Sequence, residues 1–324
     1  MAVRLFEEKD HASAYLQYRV APQELISRIM NYMEKKTPTQ LSLAVDVGCG
    51  SGQGTILLAP YFTKVVGTDI SPAQLEVAMA NRKPLNVSYR QCPAEELPFA
   101  SGEVDLVTAM TAAHWFDHQK FLLEADRVLR PGGCLALLSY TMDMELEYGD
   151  VSNTLNDICK EFYAALLPFR NPYIGSSSVK IYAGMFDSCP YPEKEWNECL
   201  QVKRIVPLTA YIGMVETFSS YQKLQQVDPA EAERLSNDIR KKLLSAMKAS
   251  SPDTEVTLGS HEQGDQYRHC DERGEDAGGW VVDEAASQSA VVEVDAMNLH
   301  EEAVDYLIWP EAVDPQCHLV GAVC

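Results

Sequence analysis

Residues 41–47, LSLAVDV, form an unbroken apolar run apart from Ser42 and Asp46, and they stop at alternating glycines, Gly48, Gly50, Gly52 and Gly54. QGTILLAPYF then resumes with helical character. A short apolar run without polar alternation predicts a strand buried on both faces, which belongs in a parallel sheet covered by helices. Glycines at its end let the backbone turn tightly and approach a ligand closely. Strand, glycine loop and helix together restrict the chain to α/β architectures.

The alternation repeats downstream. Strands are expected at KVVGTD (64–69), VSYRQC (87–92), VDLVTAM (104–110) and CLALLSY (134–140), with helices at 72–82 and 118–129. Pro72 suits a first helical turn, and Pro131 with Gly132 stops the second helix. Such a series predicts a doubly wound, mostly parallel sheet with right-handed crossovers, and ligands bind such sheets beyond the strands' carboxyl ends. Ahead of it, apolar and aromatic residues at helical spacing over 10–35, divided by Pro22, predict a helical lid (1–38) on the ligand-binding core (40–140).

The loosely patterned, acidic and aromatic stretch 142–192, with a helix near 151–167, reads as a substrate cover. A strand near 199–206 and helices near 210–226 and 229–247 follow, and 254–258 looks like the start of a last strand. The first domain is therefore 1–258. From Gly259 the composition changes: fifteen acidic residues stand against Arg268 and Arg273 alone, so −13 of the −20 net charge falls there, with no lysine. HEQGDQYRHCDERGEDAGGW lacks any period and cannot bury enough apolar surface to offset ordering entropy. Residues 259–324 are expected to be a disordered, atypical acidic tail that leaves the last strand incomplete.

The acidic balance argues against nucleic acid as a partner. No run approaches the length of a membrane helix, and MAVRLFEEKDHASAY is charged where a signal peptide is apolar, so a cytoplasmic protein is expected. Nine scattered cysteines form no C-x-x-C pair, predicting reduced thiols and no metal site.

Two carboxylates accompany the glycine loop. Asp46 lies two residues before the first glycine, and Asp69 ends the second strand, where one βα unit returns beside the first. Asp69 is placed to accept both hydroxyls of a ribose; the competing reading is a helix cap, since Asp69 and Ser71 precede the helix at Pro72. The glycine spacing, G-x-G-x-G-x-G, differs from the G-x-G-x-x-G of a dinucleotide oxidoreductase.

The order of DVGCGSG, GTDIS, PAEELPF, VDLVTAM and VLRPGG resembles the class I S-adenosylmethionine-dependent methyltransferases of the type 11 group, whose fold is Rossmann-like. YLQYRVAP, AAHWFD and ETFSSYQKL are similar to its trans-aconitate methyltransferase branch. The resemblance implies S-adenosyl-L-methionine as cofactor and a small-molecule acceptor; the net negative charge disfavours polyanionic substrates but leaves room for a carboxylate guided by Arg19 or Arg170. It implies that Gly48, Gly50 and Gly52 line the methionine and ribose, that Asp69 holds the ribose hydroxyls, and that Ile70 contacts the adenine bordered by Ala94 and Glu95. Pro93 rules out an adenine hydrogen bond from that side chain. Tyr15, Tyr18 and Arg19 would close over the methionine end, Tyr15 bordering the substrate pocket, unless the tyrosines simply pack and the arginine is solvated. Asp46 would shape the loop or meet the cofactor's amino group.

Methyl transfer is an in-line displacement, so positioning and desolvation supply much of the rate. His114, after the fourth strand, is a candidate general base or else a pocket wall; Trp115 lines the pocket or packs; Tyr221 faces the acceptor. The rival to an enzyme is a non-catalytic protein of the same fold that at most binds the cofactor.

Overall fold

The computed structural model describes residues 8–18, 23–36, 41–140, 145–171, 178–191, 193–198, 203–259, 290–293 and 319–323. Five parallel strands form its centre: β1 (Leu43–Val47), β2 (Lys64–Asp69), β3 (Val87–Gln91), β4 (Val104–Met110) and β5 (Leu129–Tyr140), in the order β5-β4-β1-β2-β3. Strand order therefore reverses at β1, which pairs in parallel with both β2 and β4. Asp46 is level with Gly67 on one side and with Thr108 on the other. The crevice at such a reversal, above the carboxyl ends, is where an open α/β sheet takes a ligand.

The inner strands β1 and β4 are apolar almost throughout because both faces are covered, whereas the edge strand β3, VSYRQ, buries only Val87. On one face Ala44, Val65, Leu106 and Ala136 pack with α2 (Gln23–Lys36) and α3 (Gln53–Leu58). On the other, Val45, Val66, Val107 and Leu135 pack with α5 (His118–Val128) and α7 (Ser178–Ser188). Alternate residues thus enter different cores, and Leu106, fully buried, has the environment in which truncation to alanine costs about 2–5 kcal/mol. The remaining helices of the nucleus are α1 (Lys9–Tyr18) and α4 (Pro72–Ala80). Ser71 caps α4 by accepting from the Gln74 amide, and Asp117 caps α5 by accepting from that of Lys120.

The first core continues into a second layer built from α6 (Ser152–Leu166), α8 (Leu208–Glu216), α9 (Ser219–Val227) and α10 (Pro229–Met247). A small antiparallel sheet, ordered β6 (Glu145–Glu147), β9 (Glu255–Gly259), β8 (Arg204–Pro207), belongs to it. Here the fold departs from the sequence reading. The strand beginning at 254 pairs with β6 and β8 rather than with the main sheet. The helix expected over 210–226 is two helices, broken where Phe218 turns extended and the Thr217 hydroxyl donates to the Met214 carbonyl.

Beyond β5 the main sheet continues through β7 (Glu193–Glu198), a strand that lies between the segment expected as a substrate cover, 142–192, and the strand expected near 199–206. Of the acidic tail, two segments are described: β10 (Ala290–Glu293) pairs in parallel, and β11 (Leu319–Val323) antiparallel, with both β5 and β7. The tail's other residues from 260 onward lie outside the described residues. No helix among the described residues is long and apolar enough to cross a membrane.

Candidate active site

The loop after β1 holds three successive alternate glycines in left-handed backbone, with φ of +68° at Gly48, +54° at Gly50 and +87° at Gly52. A side chain at Gly48 would also overlap the Ala112 methyl, and one at Gly52 would overlap the Tyr89 hydroxyl. The close approach that demands glycine at these two positions is therefore made by the protein itself. Ala112 and Phe116, from the turn after β4, close one side of the loop, and Tyr89, from β3, closes the other.

Asp69 ties this loop to the neighbouring strand. One of its oxygens accepts from the Gly50 amide and the other from the Ser71 amide, each at 2.8 Å. The carboxylate thus steadies the entry to α4 and also faces the glycine loop.

Asp46 is 1% exposed and accepts from the Thr55 hydroxyl at 2.6 Å and the Thr108 hydroxyl at 2.9 Å. Burial is the main cause of its raised pKa, pushed from 3.8 to about 6, with the Asp69 charge adding to the rise and the two threonine hydroxyls opposing it. These partners join β1, α3 and β4, so Asp46 shapes the loop from below. Burial likewise pushes the Cys49 thiol up, away from a nucleophilic thiolate.

At the adenine edge proposed from the sequence, Ala94 is buried and Glu95 accepts from the Asp117 amide at 2.8 Å, joining the β3 exit to the start of α5. The carbonyl of Ile70 accepts from the Gln91 side chain at 3.1 Å. Ile70, Ala94 and Glu95 thus lie on hydrogen-bonded or buried backbone flanking Asp69.

The turn after β4 carries a feature that sequence reading missed. Thr111 has φ +55°, a left-handed conformation that is a true outlier for a β-branched residue. It is held there by its amide, which donates to the Leu138 carbonyl, and by its hydroxyl, which donates to the Met110 carbonyl at 2.7 Å. The reversal brings Ala112 onto Gly48. Strain of this kind concentrates where a site over-determines its backbone.

His114 is 1% exposed, its Nδ1 lies 3.3 Å from the Tyr182 hydroxyl of α7, and its ring tilts against Trp115 at 5.0 Å. The ring is thus enclosed between α7 and the turn after β4. Trp115 is half-buried beside it. Nearby, burial lowers the pKa of His118, which favours a neutral imidazole.

Tyr221 requires a correction. It is buried in the first core, stacks with Phe162, and donates its hydroxyl to the Ala232 carbonyl at 3.0 Å. Its polar end is used in joining α9 to α10, which leaves it no role facing an acceptor. Tyr18 seats its ring where a side chain on Gly213 of α8 would lie, so α8 supplies its support. His11 fixes the same helix through the Thr217 carbonyl at 3.1 Å. Arg19 and the side chain of Tyr15 lie outside the described residues.

The comparisons agree with this geometry. A family model described as a methyltransferase domain matches residues 45–137. A Dictyostelium discoideum protein described as a methyltransferase is 30% identical over 233 residues, covering 72% of this chain and 82% of the relative. A Saccharomyces cerevisiae protein described as an S-adenosylmethionine-dependent methyltransferase is 32% identical over 153 residues, 46% of this chain and 51% of that protein. The solved structure of a type II methyltransferase from Anaeromyxobacter dehalogenans shares the fold, with a TM-score of 0.57 at 24% identity over 74% of this chain and 94% of that one. The chain belongs to the class I S-adenosylmethionine-dependent methyltransferase family.

The residues present fit the cofactor that the family uses. It carries a cationic sulfonium and a ribose, and no pyrophosphate. Two carboxylates on adjacent strands, Asp46 below the loop and Asp69 at the end of β2, suit that charge and those hydroxyls better than a phosphate-binding loop would.

Proposed function

We propose that this chain transfers a methyl group to a small carboxylate acceptor above the ends of β1 and β4. The observation that carries the reading is Asp69, whose two oxygens accept from the Gly50 and Ser71 amides and so hold its carboxylate at the end of β2 against the glycine loop. When bound, S-adenosylmethionine supplies an electrophilic methyl group on sulfur. Asp69 accepts the ribose hydroxyls, Ile70 and Ala94 bound the adenine, and the backbone of Gly48–Gly52 lies along the methionine and ribose. Tyr18, seated on α8, carries the lid over the methionine end with Tyr15 and Arg19.

A carboxylate acceptor is already ionised at neutral pH and attacks without surrendering a proton, which accords with the enclosure of His114. Arg170, partly buried after the turn Leu167–Phe169 beside α9, is the described guanidinium proposed to orient it. Trp115 shields the reacting atoms from water. This choice of acceptor accords with the similarity of YLQYRVAP, AAHWFD and ETFSSYQKL to the trans-aconitate branch.

The test is incubation with methyl-labelled S-adenosylmethionine and a panel of small carboxylic acids, amines and thiols. Label is expected in a base-labile ester of a carboxylic acid. Transfer confined to an amine or thiol would overturn the acceptor class, and bound cofactor with no transfer to any member would overturn the catalytic reading.

A further inference from the structure

Thr111 is the first residue beyond β4, and strand register fixes where that end lies. Thr108 is level with Asp46, so the residues after Met110 meet the glycine loop directly, at the crevice where strand order reverses. The backbone of Thr111 is left-handed there, at φ +55°, a conformation that glycine or asparagine adopts at little cost and a β-branched residue resists. Making the turn does not by itself account for a threonine.

What threonine adds is stiffness. Its branched side chain has few rotamers, its hydroxyl is tied to the Met110 carbonyl at 2.7 Å, and its amide extends the ladder to the Leu138 carbonyl of β5 at 2.6 Å. The residues that follow are equally fixed. The Trp115 and Phe116 amides donate to the Ala112 and Ala113 carbonyls, and the Phe116 ring meets edge-on that of Phe121, fully buried in α5. Thr111 is thus the joint between two rigid pieces, the sheet and the short turn 112–116. Gly48 rests on that turn, since a Cβ there would lie 2.4 Å from the Ala112 methyl and 3.1 Å from the Phe116 ring. A change at the joint moves both contacts together.

We propose that Thr111 is a positioning residue for the cofactor, its left-handed backbone holding the turn 112–116 against Gly48 and so fixing the part of the glycine loop assigned to the methionine and ribose. This rests on the cofactor site proposed above. Stability lost in the strained joint returns as a preformed loop, because a loop already in its bound shape loses less freedom when ligand arrives. In this role Thr111 acts through Ala112 and Gly48 rather than by touching the cofactor.

The experiment compares the full chain with T111V, T111N and T111G by calorimetric titration with S-adenosylhomocysteine and by thermal melting without ligand. Valine keeps the branch and loses the hydroxyl's tie, so the joint leaves the left-handed region and binding is expected to weaken roughly tenfold. Asparagine tolerates left-handed backbone and is expected to bind within about twofold of the parent. Glycine removes strain and stiffness together. T111G is expected to melt higher than the parent yet bind roughly three- to fivefold more weakly, opposite shifts that a merely structural residue would not give. If T111V binds as tightly as the parent, Thr111 does not position the loop. If T111N is as weak as T111V, the loss belongs to the hydroxyl rather than to the backbone, and the proposal falls. If T111G melts lower and binds more weakly in step, the residue is structural only. Absence of binding by the parent itself would remove the cofactor site, and with it this role, whereas binding weakened in D69N and unchanged in T111V and T111G would leave the site standing and Thr111 excluded.

Discussion

Replacing Asp46 with asparagine is expected to make the protein more stable at neutral pH and worse at holding its cofactor. The carboxyl is enclosed between β1, α3 and β4, and burial is the leading cause of its rise from 3.8 to about 6. A displacement of that size corresponds to roughly 3 kcal/mol between the protonated and ionised forms, to order of magnitude. The sign follows from proton binding. Between about pH 4 and 6 the folded protein retains a proton that the unfolded chain has released, so this group's contribution falls as pH rises through that range and stays low above it.

Asparagine is neutral throughout and nearly isosteric. The Thr55 and Thr108 hydroxyls can each donate or accept, so both hydrogen bonds survive with one reversed. Urea denaturation of parent and D46N from pH 5 to 8 is the assay. D46N is expected to gain about 1–3 kcal/mol at pH 7.5, with the difference shrinking towards pH 5. The same variant removes negative charge below the sulfonium and is expected to bind S-adenosylmethionine more weakly, a trade of stability for function. A variant less stable than the parent at pH 7.5, with the parent's pH slope intact, would refute burial as the dominant influence on Asp46.

Three further outcomes are expected. D69N loses charge-assisted bonds to the ribose and to the Gly50 or Ser71 amide, and titration is expected to show S-adenosylmethionine binding weakened roughly ten- to hundredfold; undiminished affinity would dissociate Asp69 from the site. T111G relieves a left-handed threonine worth ~1–2 kcal/mol, offset in part by glycine's entropy, so melting is expected to rise by roughly 2 °C; a marked fall would show that the threonine is unstrained. Glycine to alanine inside a helix ordinarily gains about 1 kcal/mol, but at Gly213 the added methyl overlaps the Tyr18 ring, so G213A is expected to lower the melting point and speed proteolysis near α1. A rise instead would show that Tyr18 is not seated there.

The inner parallel strands were legible because burial on both faces makes them nearly continuously apolar, and β2 and β4 occupy the residues read from the sequence, 64–69 and 104–110. Asp69 was legible for a related reason: one βα unit has a nearly fixed length, so a carboxylate at that spacing reaches the neighbouring strand end. What closes on each glycine was not legible, since Ala112 and Tyr89 arrive from β4 and β3 through register and backbone geometry that leave no local pattern. The pairing of β9 was hidden similarly, because a strand's own residues do not name its partner. Tyr221 was misread because a tyrosine near a site and one bonding a carbonyl in the core look alike in sequence. The Thr111 kink carries no glycine or asparagine to announce it.

The most direct test of the central claim is calorimetric titration of the full chain with S-adenosylmethionine at neutral pH, alongside D69N. Saturable binding at one site per chain, clearly weakened in D69N, is the expected result. No measurable heat, or equal binding by both proteins, would contradict a cofactor site built on the glycine loop and Asp69.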